Sequence, residues 1–150
     1  MRRGHRGAGF TLVEICVCLS ILALLFTLSS SALSSFLEMY YLNMYRRQIV
    51  SDLREAKHAA VKGGNYVACQ FYKKDGSTSA YYTISSILPD TKEKLLSQAT
   101  LNPWLDFVED QEIRFSNSSF CLPGYLGSIY IQGRSGRLVG VVVSSMGRVR

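Results

Sequence analysis

Two hydrophobic patterns divide the chain, and each predicts a different kind of element. Residues 10–28 form the longest apolar run, whose only charged residue is Glu14. Beyond it, apolar residues recur every three or four positions, which is the spacing of one face of an α-helix. These residues are Leu42, Tyr45, Ile49, Leu53, Ala56 and Ala60. Because Gly63 and Gly64 then end the pattern, the sequence predicts one long helix over residues 10–62, an apolar half followed by an amphipathic half.

After Gly64 the pattern changes to short runs typical of β-strands. Apolar and polar positions alternate over residues 66–72, which predicts a first strand there. Turn residues separate further predicted strands at 80–84, 112–115, 128–132 and 138–144. The last of these is rich in valine, which is typical of a buried strand, whereas residues 89–99 are polar and predict a short helix or a loop. This order indicates an α+β fold, with a long N-terminal helix packed on a small antiparallel β-sheet domain over residues 63–150.

A basic leader precedes the apolar run. It carries three arginines and no acidic residue before Gly9. An ordinary secretory signal has its small-residue cleavage site after the apolar stretch, whereas here the small-residue junction comes before it. Cleavage would therefore leave the apolar segment attached. The run is about long enough to cross a bilayer as a helix, and the basic leader predicts a cytoplasmic N-terminus and an exported C-terminal part. We therefore expect a transmembrane segment over residues 10–30.

The junction and the nearby glutamate together resemble a known processing signal. Residues 9–14 read Gly-Phe-Thr-Leu-Val-Glu, and with the basic leader they resemble the prepilin signal of type IV pilins and type II secretion pseudopilins. The resemblance implies that a prepilin peptidase removes the leader, residues 1–9, by cutting between Gly9 and Phe10. It also implies methylation of the new N-terminus at Phe10.

Glu14 is unusual because it is the one charged residue in the apolar run. A lone carboxylate in a membrane-length segment costs about 3 kcal/mol, which makes it a candidate functional residue. We expect Glu14 to pair with the N-terminal ammonium of a neighbouring subunit and so set the register of filament assembly. The alternative is a single-pass anchor that tolerates a glutamate near the membrane interface.

Two further regions resemble the H-type minor pseudopilins and the minor type IV pilins grouped with them. Residues 51–69 resemble the end of the helix and the first strand, and residues 141–150 resemble a C-terminal strand that ends Gly-Arg-x-Arg. The resemblance implies a long helix on one or two small antiparallel sheets, and a structural role in a pseudopilus of a type II secretion system. The implied partners are other major and minor pseudopilins or pilins, the prepilin peptidase and the bacterial inner membrane. The domain would lie in the periplasm.

The distribution of charge leaves a second function open. The net charge is +6, and no acidic residue follows Glu112. Some minor type IV pilins of the resembling group are thought to hold DNA through a C-terminal Gly-Arg-x-Arg, which here corresponds to Arg148 and Arg150. Two arginines at i, i+2 on an extended segment face the same way and would reach successive phosphates, and Arg134 and Arg137 would extend the patch. The alternative is a solvated basic strand end.

Cysteine positions predict one candidate disulfide. Cys69 and Cys121 lie in the part of the chain expected to reach the oxidising periplasm. A bridge between them would close a long loop, worth about 4 kcal/mol in the chain-entropy model. Two buried free thiols are the alternative, since a sequence does not show whether the two Cα atoms lie close enough.

Catalysis and metal binding find little support in the sequence. His5 and His58 are the histidines of the chain, and His5 would leave with the leader. No glycine-rich phosphate loop, metal-ligand spacing or nucleophile motif occurs, and the carboxylates of residues 106–112 lack the regular spacing of a calcium loop. We therefore expect a non-enzymatic protein without cofactor, metal or small-molecule substrate.

Overall fold

The computed structural model describes residues 11–88 and 93–150, without the side chains of 28–32. Helix α1 covers Leu12–Gly63, so the predicted long helix is confirmed over these residues. The hydroxyl of Thr11 accepts a hydrogen bond from the Glu14 N–H at 3.3 Å, which is the geometry of an N-cap. At the other end Gly64 has a φ of 65°, the left-handed conformation in which helices commonly end.

The chain divides into two compact units, Met1–Phe36 and Leu37–Arg150. In the described part of the first unit, large apolar side chains are exposed, from 51% for Ile15 to 80% for Phe26. Within the residues that the structure describes, no helix has both the length and the apolar character needed to cross a membrane. The predicted transmembrane segment 10–30 includes residues outside this description.

The second unit contains two antiparallel sheets. Its strands are β1 (Tyr66–Tyr72), β2 (Tyr81–Ile87), β3 (Glu93–Thr100), β4 (Leu105–Phe107), β5 (Gln111–Phe115), β6 (Gly127–Gly133) and β7 (Leu138–Val143). The first sheet has the order β3-β2-β1-β5, and the second has the order β4-β6-β7. The α+β class is therefore confirmed, with the strands divided between two sheets.

One core joins the helix to both sheets. From α1 it takes the predicted apolar stripe, in which Leu42, Ile49 and Leu53 are at most 1% exposed. The first sheet contributes residues such as Val67, Phe71 and Ile113, and the second contributes residues such as Ile129, Ile131 and Val141. Since a fully buried aliphatic side chain stabilises a fold by about 1.5–3 kcal/mol, this shared core is what holds the sheets on the helix.

A polar contact fixes the first sheet to α1. The Tyr82 hydroxyl of β2 donates a hydrogen bond to the Asp52 carboxylate on the helix at 2.5 Å. Burial, with the hydrogen bond to Asp52 as the next cause, raises the pKa of Tyr82 well above its ordinary value of 10.0. The Tyr82 ring stacks on Phe71 with centroids 5.5 Å apart. Tyr82 therefore contributes both apolar area and a charge-assisted hydrogen bond.

Two strands differ from the sequence prediction. Residues 89–99 were expected to form a short helix or a loop, but Glu93–Thr100 is strand β3, which pairs with β2 along its length. Strand β4 follows Trp104, where no strand was predicted. Strand β3 has almost only exposed side chains and therefore no alternation to detect, whereas β4 alternates but has only three residues.

The valine run of β7 is also less buried than expected. Val141 and Val143 are at most 4% exposed, but Val142 between them is 49% exposed. Strand β7 therefore has one face on the core and one face in solvent, as antiparallel sheets commonly do.

Replacing Tyr82 with phenylalanine tests the tie between the helix and the first sheet. The substitution keeps the stacked ring but leaves Asp52 without its donor, so we expect a loss of about 1.5–3 kcal/mol in the free energy of unfolding. Urea denaturation of the full chain in detergent, followed by Trp104 fluorescence, measures this. Tyr81→Phe is the matched control, and equal stability of the two variants would contradict the assignment.

Candidate functional site

The C-terminal segment folds back beside β7. Val142 and Arg150 exchange both backbone hydrogen bonds, each at 3.0 Å, and the Ser144 N–H donates to the Arg148 carbonyl oxygen at 3.0 Å. Gly147 closes the turn with a φ of 65°, and a Cβ at this position would collide with the carbonyl oxygen of Ser119. A glycine is therefore required in this turn both for its conformation and for the space.

The fold-back places the two arginines of the C-terminal motif on the same side. Val149 is 5% exposed, while Arg148 and Arg150 on either side of it are exposed. Positions i and i+2 of an extended segment share a face, which here is the face opposite the buried Val149. Both guanidinium groups can bind an anion, because neither side chain has an ion-pair partner among the described residues.

Basic side chains of α1 contact β7 and the C-terminal segment beside it. Arg46 Nε donates to the Gly140 carbonyl oxygen at 3.2 Å, Arg54 Nη2 to that of Val149 at 3.5 Å and Lys57 Nζ to that of Gly147 at 3.1 Å. These contacts join residues 90 or more positions apart and are not predictable from the sequence. Arg46 and Lys57 lie about three helical turns apart and so share a face of α1. This shared face is the one feature of the sequence that indicates a common basic surface.

A groove forms where α1 and the C-terminal segment meet. Its volume is about 340 Å³, and it is lined by Arg46, Arg47, Val50, Ser51, Arg54 and Arg150. No acidic residue lines it, and the one ion pair in the described part of the chain joins Arg114 to Glu112 at 2.7 Å. A concave surface with several unneutralised arginines attracts anions, and phosphate groups in particular. We call this surface the arginine groove.

Arg134 and Arg137 do not join the arginine groove. They lie in the turn between β6 and β7, where the Gly133 N–H donates to the Arg137 carbonyl oxygen at 2.8 Å. Arg150 pairs with Val142 near the other end of β7, so about 16 Å of strand separates the two pairs of arginines. The lining of the arginine groove therefore does not include the two arginines that were expected to extend the basic patch.

Glu38 is a buried carboxylate that the sequence did not single out. It lies on α1 and is 7% exposed. Its carboxylate accepts hydrogen bonds from the Ser135 N–H at 2.8 Å and the Ser135 hydroxyl at 2.9 Å. The Ser135 N–H lowers the pKa of Glu38 below its ordinary value of 4.5; burial opposes this, and the Ser135 hydroxyl and Arg137 reinforce it. Gly133 leaves the space that the carboxylate occupies, because a Cβ there would collide with it.

The assembly residues predicted from the sequence lie at the start of α1. Gly9 and Phe10, the predicted processing site, lie outside the described residues. Glu14 is exposed in the first turn of the helix. Its backbone N–H is bonded to Thr11, and its carboxylate forms no ion pair with another described residue. This carboxylate is therefore free to meet a partner.

Cys69 and Cys121 carry free, buried thiols. Cys69 pairs with Ile113 of β5, and Cys121 forms a bridge with Phe115 on the opposite edge of the same strand. Because β5 lies between them, two strand spacings of about 4.8 Å separate the cysteines, more than the roughly 7 Å between Cα atoms that a disulfide allows. The predicted disulfide is thus not formed in this structure. Burial raises the pKa of the Cys69 thiol, which disfavours a reactive thiolate.

Two carboxylates of β4 and the turn after it have protein partners. Asp106 Oδ1 accepts a hydrogen bond from the Lys74 N–H at 2.7 Å, and Asp110 Oδ1 accepts one from the Lys73 N–H at 2.6 Å. Among the described residues, no group of three or more His, Cys, Asp or Glu side chains is arranged to hold a metal ion. These carboxylates fasten the turn after β1.

The lowered pKa of Glu38 predicts a pH-dependent contribution to stability. A depressed carboxyl pKa stabilises the folded state above the unfolded pKa, and this stability is lost as the pH falls through the folded value. We therefore expect the wild type to melt at a higher temperature than Glu38→Gln at about pH 6, and the difference to shrink as the pH falls below the ordinary value and through the lower folded value. Thermal denaturation of the full chain in detergent checks this. Glu109→Gln, at an exposed site, is the control, and a difference independent of pH would refute the assignment.

The fold is similar to that of solved structures of minor pilins and pseudopilins. No protein-family model matches the chain, and no curated protein matches it. Solved structures do match. The type IV minor pilin FimU of Pseudomonas aeruginosa is 17% identical with a TM-score of 0.58, covering 77% of this chain and 90% of FimU.

A second crystal form of the same minor pilin matches with a TM-score of 0.55 and 17% identity, over 73% of this chain and 90% of that one. The minor pseudopilin EpsH from the type 2 secretion system of Vibrio cholerae is 14% identical with a TM-score of 0.57, covering 73% of this chain and 94% of EpsH. At these identities the likeness concerns the fold. The chain has the fold that type IV minor pilins and type II secretion minor pseudopilins share.

Proposed function

We propose that the chain is a minor pseudopilin of a type II secretion system, a structural subunit of the periplasmic pseudopilus that drives protein export. This role needs no catalytic group, cofactor or small-molecule substrate. Its partners are other major and minor pseudopilins, and before assembly the prepilin peptidase and the inner membrane. The likeness in fold to EpsH supports this proposal, and the first half of α1 supports it independently.

The observation that carries the proposal is the exposure of apolar side chains around the start of α1. Leu12, Val13, Ile15 and Val17 are each more than half exposed, and the pattern continues to Phe26. Consecutive positions on a helix point to different faces, so the exposed apolar surface surrounds the helix. A helix of this kind is stable when it is buried on all sides. In the proposed role, the bilayer surrounds residues 10–30 before assembly, and neighbouring helices surround them in the filament.

Glu14 has a specific task in this role. In an apolar filament core its charge would be costly unless an opposite charge neutralised it. Cleavage between Gly9 and Phe10 would create an ammonium group at Phe10, near the depth of Glu14. We infer that the Glu14 carboxylate pairs with this ammonium on the adjacent subunit and thereby fixes the axial register.

Charge removal at Glu14 tests the assembly role. We expect Glu14→Gln to reduce incorporation into sheared filaments at least about tenfold, because a buried ammonium loses its counter-ion, while the level in the membrane stays unchanged. Immunoblots of the filament and membrane fractions measure this. Glu14→Asp keeps the charge and should retain partial incorporation, and Glu109→Gln should behave as wild type. Normal incorporation of Glu14→Gln would refute the pairing.

The arginine groove favours a second candidate function. In this alternative the chain is a minor type IV pilin that takes part in pilus assembly and DNA uptake and binds DNA through Arg148 and Arg150. The groove adds helix residues to that pair, and its lining is free of acidic residues. Contacts of this kind would be independent of base sequence and sensitive to salt.

The separation of the two arginine pairs gives this alternative a sharp test. We expect Arg148→Ala with Arg150→Ala to lower the slope of log affinity against log salt by about two for double-stranded DNA, since each lost phosphate contact removes about 0.9. Arg134→Ala with Arg137→Ala is the matched control and should leave the slope unchanged. Titration of the full chain in detergent at several salt concentrations measures both. Equal slopes for the two double variants would refute DNA binding through the C-terminal arginines.

A further inference from the structure

Most sheet edges in the described part of the chain are short or covered. On the edge of β5 away from β1, the Leu122 N–H donates to the Arg114 carbonyl oxygen at 2.9 Å. The edge of β7 is covered by the C-terminal segment, whose own outer carbonyls receive donors from Arg54 and Lys57. Strand β4 has only three residues. Natural proteins commonly protect sheet edges by such devices, because an open edge pairs with other chains.

The outer edge of β3 is the exception. This strand has eight residues, Glu93–Thr100, and is the terminal strand of its sheet. The Leu101 N–H donates to the Ala80 carbonyl oxygen at 2.8 Å. Because antiparallel hydrogen-bonded pairs alternate with a period of two, the N–H and C=O groups of Gln98 and Thr100 point to the free edge. After Lys94 the strand has no charge and no proline to discourage pairing.

A bulge limits which part of the edge is regular. The register between β2 and β3 shifts between Ile84 and Ser85, so that Ser97 pairs with Ile84, Leu95 pairs with Ser85, and Leu96 is the extra residue. Bulges increase the local twist and interrupt pairing. The residues after the bulge, 97–100, therefore form the straight part of the edge that a further strand would join.

A cleft lies beside this edge. It has a volume of about 320 Å³ and is lined by Asp52, Glu55, Ala56, Ala59, Ile84, Leu96 and Ser97. Leu96 is 45% exposed, and the carboxylate of Glu55 has no ion-pair partner among the described residues. The floor of the cleft is thus apolar, and its helix side is acidic.

We propose that the free edge of β3 binds an extended segment of another protein chain, with a basic side chain of that segment against Glu55 and an apolar one over Leu96 and Ala59. A row of backbone donors and acceptors is matched by an extended polypeptide, and pockets for alternate side chains then give specificity. The acidic side of the cleft selects a basic residue at one of these alternate positions.

The same charges argue against a second copy of this chain as the occupant. Two β3 strands paired about a two-fold axis would bring the same surface of each protomer together. The acidic side of the cleft, which carries Asp52 and Glu55, would then face the same acidic surface of the other copy, and such like-charge juxtapositions are costly. The inference goes beyond the proposed function, since it holds for any filament and does not depend on Glu14 or on the arginine groove.

A designed peptide tests the proposal on the full chain in detergent. The probe has nine residues, with alternating valine and threonine and one arginine at the centre. We expect saturable binding in fluorescence anisotropy, together with slower hydrogen exchange of the Gln98 and Thr100 amides. A control peptide with glutamate in place of the arginine should bind about three- to tenfold more weakly. A probe N-methylated along the pairing edge should not bind.

Two substitutions in the protein separate the backbone and charge contributions. Gln98→Pro removes a donor at the free edge while sparing the hydrogen bonds to β2, and we expect it to weaken the arginine peptide about tenfold or more. Gln98→Thr is its control and should bind normally. Glu55→Arg should weaken the arginine peptide and favour the glutamate peptide, whereas Glu109→Arg should change neither.

Three results would overturn the proposal. The first is the absence of binding at millimolar peptide with the Gln98 and Thr100 amides still exchanging fast. The second is equal binding to the wild type and to a folded Gln98→Pro variant. The third is concentration-dependent self-association that Gln98→Pro abolishes, because it would make a second copy of this chain the occupant.

Discussion

The second unit depends on one surface, the apolar face of α1 that both sheets share. Leu42, Ile49 and Leu53 are buried in the same core cluster as residues of both sheets. Polar contacts also tie each sheet to the helix. Tyr82 contacts Asp52 for the first sheet. For the second, Ser135 contacts Glu38 and Arg46 contacts the Gly140 carbonyl oxygen. Apolar burial supplies most of the stability, since a hydrogen bond contributes about 1 kcal/mol net. The polar contacts fix the positions at which the sheets rest on the helix, because a misplaced sheet would leave a carboxylate without its donor.

The basic residues that flank the apolar face of the helix do not form a simple binding surface, because some of their donors are used within the fold. Arg46 and Arg54 each use a donor on a backbone carbonyl oxygen at the edge of the second sheet. A guanidinium has five N–H donors, so these arginines protect a sheet edge and still contribute positive charge to the arginine groove. The side chains of Arg148 and Arg150 donate no hydrogen bond to a described residue. The helix arginines thus have both a structural and an anion-binding role. Substitutions of Arg148 and Arg150 would affect anion binding without removing a structural side-chain contact.

Elements with their own side-chain pattern were predictable from the sequence, and those defined by a neighbour were not. The helix and β1 were predicted to within two residues, because the periods of 3.6 and 2 are present in their own sequences. Strand β3 lacks alternation; it is held by β2, and its side chains are almost all exposed. The fold-back at Gly147 was not predicted either, since it depends on contact with Ser119.

The candidate site shows the same division. The sequence indicated that Arg148 and Arg150 share a face, because the i, i+2 rule is local. It did not indicate that Arg134 and Arg137 lie elsewhere, because their distance from the C-terminal pair is set by the length of β7 and the direction of the final segment. The cysteine pairing failed for a similar reason, since β5 lies between Cys69 and Cys121. Glu38 was overlooked because a glutamate on a helix is ordinarily a solvated residue, and only the turn containing Ser135 buries it.

Two exposed surfaces of the described residues differ in what they can specify. Apolar side chains exposed on every side of residues 12–26 gain from any apolar surroundings, whether lipid or other helices, so they favour incorporation without selecting a neighbour. The free edge of β3 is different, because a shift of one residue in strand pairing turns every side chain to the other face. An extended partner must therefore match both the backbone register and the charge of Glu55. In the proposed roles, the helix brings the subunit into a filament, and the β3 edge determines which protein it meets there.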